Sequence, residues 1–304
     1  KTFFMRWLPV LTLTLCTFVF NTSEFIPIGL LTDIGRDFGR TEAEMGWLVT
    51  TYAWVVALMS LPLMLLASKM ECRRLMMSVL ALFVASHVLS AVASNYWILL
   101  ASRLGVACSH AIFWSVVSPL AVEVAPKHKT SAALGLVVAG SSIAMIAGLP
   151  LGRVLGLYLG WRMTFLAIGL VAAIALVCLW RFFPSVHSRN AVALDKVPAL
   201  LSRPALMGIY ILTPLIMTGN FTVYSYIEPF LAQVTGMLPD RITWVLVAYG
   251  AVGILGSWIF SHFFDRRPIG FLQFSVFGIV ASLFLMAPLG GGELTIVLLC
   301  IFWG

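Results

Sequence analysis

Charge is what this sequence has least of. Only 10% of its 304 residues are Asp, Glu, Lys or Arg, against about 25% in a soluble domain, which excludes a water-facing surface over most of the fold. The five cysteines (Cys16, Cys72, Cys108, Cys178 and Cys300) are scattered, with no C-x-x-C and no Cys/His cluster. Neither a disulfide framework nor a zinc site follows, and each reads as a small apolar filler. There is no H-E-x-x-H stretch and no nucleophile–base pair at converging spacing, so a membrane-embedded enzyme is disfavoured. No cofactor and no metal is expected. The net charge of +7 is spread between apolar runs rather than gathered in one block, so nucleic acid is not the expected partner.

What the sequence has is apolar length. Hydrophobic residues make up 61% and the mean hydropathy is +1.02. Apolar runs bounded by charge, Pro or Gly fall near 7–31, 46–68, 75–94, 98–122, 131–156, 164–183, 205–232, 242–264 and 270–288, with a tenth opening near Leu294. About 20 apolar residues cover the hydrocarbon thickness, so these are membrane-spanning helices and the lipid bilayer is a partner. The first run is too long for a signal-peptide core and reads as a retained helix. The chain opens on Lys1 and stops at Gly304 inside an apolar run, so both ends read as trimmed.

Basic residues set the orientation. Lys1, Arg6, Lys69, Arg73, Arg74, Lys127, Lys129, Arg181, Arg189, Lys196, Arg203, Arg266 and Arg267 fall on one side, and Arg36, Arg40, Arg162 and Arg241 on the other. That asymmetry puts the amino terminus in the cytoplasm. The longest polar interval, 184–204, divides an amino-terminal bundle (1–183) from an incomplete carboxy-terminal one (205–304). A weak repeat supports the division. The basic turn Lys69 to Arg74 is echoed by Phe264 to Arg267, and Glu24 with Pro27 by Glu228 with Pro229. Paired six-helix halves with a substrate near the midplane between them are a transporter architecture.

The organising stretch is Arg103 to Trp114, inside the fourth run. Arg103, Ala107, His110 and Trp114 fall on one helix face. An arginine at mid-bilayer costs roughly +2.5 to +3.5 kcal/mol, so it must face protein or a wet cavity and find an anionic partner. Glu24 is the candidate, on a stripe with Thr14, Thr17 and Asn21. Glu24 is either a titrating carboxylate in the cavity or a helix-end acid in headgroup water. Arg103 is either a cation that tunes a carboxylate or half of a fixed ion pair. His110 either moves protons or hydrogen-bonds a substrate, or joins two helices while neutral. His87 has only Ser86, Ser90 and Ser94 for company on its helix and reads as structural.

The seventh run carries Thr213, Met217, Asn220, Tyr224 and Glu228 along one face. Amide, phenol and carboxylate beside aromatic planes suit a sugar, whose hydroxyls need paired hydrogen bonds and whose ring stacks on an aromatic face. Trp54, Phe113 and Trp114 could supply such faces, or simply pack between helices. The fifth run places Gly140, Ala144, Gly148, Gly152, Gly156 and Gly160 at every fourth position, with Pro150 marking a kink. That groove admits another helix closely, as static packing or as a sliding seam.

These residues resemble the major facilitator superfamily, in its drug:proton antiporter branch, and most of all the bacterial sugar efflux transporters. The resemblance rests on Asn21 to Leu31, Tyr52 to Pro62, Ser102 to Ser115, Gly148 to Arg153, Gly160 to Phe165 and Tyr224 to Phe230. It implies an all-α membrane protein with the major facilitator fold of two six-helix bundles, here cut within the tenth helix. It ties Arg103 to proton coupling and marks Gly148, Pro150 and Gly152 as the antiporter motif. The loop motif between the second and third helices keeps Arg73 and Arg74 but has Leu65 and Lys69 where the family carries glycine and aspartate. Asp265 and Arg266 preserve something like it in the second half.

The resulting expectation is a monomeric, proton-driven exporter of small sugars such as arabinose or thiogalactosides in a bacterial cell inner membrane. Glu24 and Arg103 are expected to couple protons. Asn21, Glu24, Trp54, His110, Phe113, Trp114, Asn220, Tyr224 and Glu228 are expected to line the sugar site. The alternative is a multidrug/proton antiporter of the same fold, which would want a larger, more apolar cavity.

Overall fold

The computed structural model describes residues 2–67, 70–127, 129–185, 202–263, 267–289 and 292–304, and among them every regular element is helical. The chain separates into two compact units, Lys1–Val192 and Ala193–Gly304. The expected linker at 184–204 lies largely outside the described residues, as do Lys69, Asp265 and Arg266.

The first unit opens with α1 (Thr2–Phe25), which runs through a 3₁₀ turn (Ile26–Leu30) into α2 (Leu31–Phe38). Pro27 sits at the head of that turn, where its missing N–H leaves no helical bond unmade. Arg6–Phe38 is thus one continuous 33-residue stretch, longer than the expected first run. Gly39 closes α2 in the left-handed conformation (φ 60°) that a side chain would strain. Thr41 and Glu44 then form a capping box: the Thr41 N–H donates to Glu44 Oε2 at 2.8 Å, and the Glu44 N–H to Thr41 Oγ1 at 3.3 Å. This starts α3 (Glu42–Ala67), followed by α4 (Cys72–Ala91). The Asn95 side chain caps α5 (Tyr96–Glu123) by accepting from the Ile98 N–H at 3.0 Å.

The expected fifth span is α6 (Thr130–Ile143), a π-helical turn (Ala144–Gly148) and α7 (Leu149–Leu159). The wider turn comes immediately before Pro150, which is the local irregularity a buried proline requires. Gly160 (φ 84°) reverses the chain into α8 (Trp161–Phe182).

Aromatic rings fill the core of this unit. Phe20 of α1 stacks on Phe113 of α5 at 4.2 Å and packs on Phe83 of α4 at 4.3 Å, all three fully enclosed. The glycine groove of α6 and α7 is occupied by α1 and the turn that follows it. A Cβ at Gly140 would fall 2.6 Å from the Thr14 carbonyl, at Gly148 2.4 Å from Thr22 Oγ1, and at Gly152 2.3 Å from Ile26 Cδ1. The groove is therefore a packing seam inside the first bundle.

The second unit comprises α9 (Pro204–Ser225), α10 (Ile227–Gln233), α11 (Pro239–Phe263), α12 (Pro268–Met286) and α13 (Glu293–Trp303). The expected seventh span is broken at Tyr226. The unit's centre is a ring cluster, with Tyr224 5.3 Å from Tyr249 and Tyr249 4.8 Å from Trp303. Among the described residues, eight helical stretches are long and apolar enough to cross a bilayer.

Candidate functional site

In the first unit the intramembrane polar groups converge. Ser23 and Glu24 come from α1, Tyr52 from α3, His87 from α4, and Arg103 and His110 from α5; Arg103, Ser23, His87 and His110 are all buried. Arg103 and His110 share a face of α5 because seven residues complete nearly two turns. Burying them is tolerable only with partners.

His110 Nε2 lies 3.5 Å from Glu24 Oε2, with the histidine side chain 4% exposed and the glutamate 31% exposed. The carboxylate therefore keeps one side open while the imidazole is enclosed. The other imidazole nitrogen, Nδ1, is buried with no hydrogen-bond partner among the described residues. Around the pair stand the edges of Tyr52 (5.6 Å) and Phe20 (5.7 Å), and Trp114 at 5.8 Å.

Arg103 takes a different partner from the one expected. Its Nη1 donates to Ser23 Oγ at 3.4 Å, and no carboxylate among the described residues forms a salt bridge with it. Its guanidinium lies 4.8 Å from the Tyr52 ring centre and 6.0 Å from that of Phe165 on α8, within the range of cation–π attraction. Its Nε is buried with no hydrogen-bond partner among the described residues. Ser23 Oγ is 2.8 Å from His87 Nε2, and His87 Nδ1 is 2.9 Å from the Phe83 carbonyl. Both nitrogens of His87 are thus engaged, one of them by a residue that supports Arg103.

Asn21 is buried one turn away and donates to Ser141 Oγ at 2.8 Å, binding α1 to α6. Trp54 is exposed and Trp114 half so, while Phe113 is fully enclosed. The Phe113 ring stacks on Phe20 and meets the edge of Trp114. Arg153 is likewise buried and donates to the Gly29 carbonyl at 3.0 Å, bracing the 3₁₀ turn after Glu24. Among the loop residues, Arg73 donates to the Trp180 carbonyl near the end of α8, and Arg74 is paired with Glu71 at 3.5 Å. Outside the apolar layer, Asp37 of α2 accepts from Trp161 Nε1 at 2.9 Å and from Arg162, which also donates to the Ala93 carbonyl.

In the second unit, Trp303 Nε1 donates to Asn220 Oδ1 at 2.7 Å. Tyr224 is enclosed between Tyr249 and Trp303, and Glu228 is buried in the first turn of α10. The stripe on the seventh run points to Asn220, Tyr224 and Glu228 but not to Tyr249 or Trp303, which lie on distant helices with nothing to mark them among other aromatics. Nor does the sequence single out Ser23 and Tyr52, or give His87 more than a structural part.

Glu24, His87, Arg103 and His110 all lie within helices long and apolar enough to cross a bilayer, where ionisable side chains are costly and mark functional sites. The Major Facilitator Superfamily matches residues 13–304, and the chain belongs to that family. Its members are transporters rather than enzymes, and the fold works as a secondary transporter by alternating access.

Among solved structures, a bacterial homologue of the human lysosomal transporter Spinster, inward-facing and unoccupied, matches with a TM-score of 0.77 at 17% identity, covering 98% of this chain and 72% of that one. The occupied, inward-facing form of the same homologue gives 0.71 at 17% identity, covering 97% and 71%. A peptide transporter, POT, in complex with alafosfalin gives 0.67 at 12% identity, covering 97% and 78%. At these identities the likeness is one of fold.

Proposed function

We propose that this transporter is a proton-coupled exporter of small sugars or sugar-like thiogalactosides, arabinose among them, acting as a monomer in a bacterial inner membrane with its amino terminus in the cytoplasm. The observation that carries the reading is the Glu24–His110 contact at 3.5 Å, an acid open on one side against an enclosed base, with Arg103 nearby. An intramembrane carboxylate of this kind is expensive unless it is used, and exchanging a proton is the use its chemistry allows. The basic bias of one set of loops supports the orientation.

Glu24 is the coupling acid in this reading, and Arg103 modulates it. Asn21, Trp54, His110, Phe113 and Trp114 are the sugar-binding candidates of the first unit, and Asn220, Tyr224 and Glu228 those of the second. A proton arriving from outside neutralises Glu24 and favours the return to the inward-facing state. The test is uptake of labelled arabinose or a thiogalactoside into inverted vesicles carrying the complete protein. The expected result is accumulation that depends on an imposed pH gradient; uptake indifferent to the gradient removes the antiport reading.

A further inference from the structure

Ser23 and Glu24 are neighbours on α1, one a neutral acceptor and the other an anionic one. In this structure the arginine uses the neutral one, at 3.4 Å, and Glu24 is turned to His110 at 3.5 Å. Donor directions along the serine's contacts follow from the chemistry of the groups. A backbone carbonyl only accepts, so His87 Nδ1, 2.9 Å from the Phe83 oxygen, carries the hydrogen. In the neutral ring Nε2 is then an acceptor, and the Ser23 hydroxyl 2.8 Å away donates to it. The serine's lone pairs are left for Arg103 Nη1. His87 thereby fixes the rotor of Ser23 in the one orientation that receives the guanidinium.

We infer that Ser23 and His87 are positioning residues for proton coupling: together they hold Arg103 off Glu24 while Glu24 is protonated, and release it when the carboxylate forms. The inference rests on the antiport reading above. It explains why a buried guanidinium has one weak hydrogen bond to a hydroxyl, two ring faces and an Nε with no partner among the described residues. Such a group is held loosely enough to move, since a hydrogen bond to a carboxylate is stronger than one to a hydroxyl. The titratable groups within its electrostatic reach are Glu24 on α1, Tyr52 on α3, His87 on α4 and His110 on α5; α8 presents the ring of Phe165.

The experiment is the pH profile of gradient-driven thiogalactoside transport by the complete protein in proteoliposomes. Its variants are Ser23→Ala, Ser23→Thr and His87→Leu. Without the serine acceptor Arg103 turns to Glu24 and keeps it ionised at lower pH. The midpoint of the profile then moves toward acid by about one pH unit in Ser23→Ala, the scale set by one hydrogen bond to a charged group. His87→Leu, which frees the serine rotor, shifts it the same way, and Ser23→Thr, which keeps a hydroxyl, restores it. An unshifted Ser23→Ala profile beside a coupled wild type overturns this inference alone, as does a Ser23→Thr profile that follows Ser23→Ala. A wild type that ignores the gradient overturns the antiport reading and this inference together.

Discussion

His110 Nε2 and Glu24 Oε2 stand 3.5 Å apart, on α5 and α1, with the imidazole enclosed and the carboxylate partly open. Proton exchange with water and proton retention by the protein ask for that asymmetry. The first prediction follows directly. Glu24→Gln keeps the shape of the side chain but cannot titrate, so gradient-driven transport is lost. Substrate counterflow, which needs no net proton movement, persists. Parallel measurements of the two fluxes check it, and full gradient-driven flux in the variant would assign coupling to another acid.

The second prediction concerns His110 itself. Of its two ring nitrogens Nε2 carries the contact, because Nδ1 is buried with no partner among the described residues. A glutamine places an amide N–H near the position of Nε2, whereas leucine offers no polar atom. His110→Gln therefore keeps a larger share of transport than His110→Leu, which leaves Glu24 without its contact at a cost of about 1–3 kcal/mol. Equal losses in the two variants would mean that the ring's bulk, rather than its nitrogen, is what counts.

The glycine seam gives a third prediction, in which the nature of the neighbour decides the outcome. At Gly140 the obstructing atom is the Thr14 backbone carbonyl, 2.6 Å from where an alanine methyl would stand, and backbone in a packed helix does not yield cheaply. At Gly152 the atoms in the way are Cδ1 and Cγ1 of Ile26, at 2.3 and 2.4 Å; this side chain borders an apolar cavity of about 160 Å³, which it can enter by rotating about its Cα–Cβ bond. Gly140→Ala should lower stability by about 1–3 kcal/mol through overpacking. Gly152→Ala should cost less, because a side chain rather than backbone has to move and the helix propensity gained is about 1 kcal/mol. Thermal unfolding of the purified protein in detergent ranks the two; the opposite order would refute the assignment of α1 as the groove's occupant.

A fourth prediction lies in the second unit. Indole N–H only donates, so the atom of Asn220 facing Trp303 Nε1 at 2.7 Å is the carbonyl oxygen. The amide NH₂ is then the group Asn220 has left to present. Trp303→Phe removes this constraint and allows the amide to flip. The expected effect is a raised KM for sugar with little change in kcat, because orientation of a binding group is lost rather than the coupling acid. A lowered kcat with KM unchanged would contradict the role given to Asn220.

The helices are legible in the sequence because apolar length is a loud signal, and one residue in ten carrying charge leaves few other readings. Their interruptions are not. The 3₁₀ turn at Ile26–Leu30, the π turn at Ala144–Gly148 and the break at Tyr226 depend on which carbonyls find partners, and runs of similar hydropathy conceal that. Glu24, Arg103 and His110 are conspicuous as ionisable groups in apolar runs. Charge alone points to Glu24 as the direct partner of Arg103, whereas the guanidinium lies on Ser23. A serine in a membrane helix usually satisfies its hydroxyl on its own backbone, so nothing sets Ser23 apart. His87 reads as structural when its companions are sought on its own helix, while its side-chain partner is 64 residues away on α1. The glycine stripe announces a groove, but periodicity does not say which helix fills it.

Proton release on substrate binding tests the central claim most directly. If Glu24 carries the exchanged proton, adding a thiogalactoside to the purified complete protein in weakly buffered detergent solution should acidify the medium, and Glu24→Gln should abolish that signal. A wild type that binds sugar without releasing protons, or a Glu24→Gln variant that releases as many, would contradict the account.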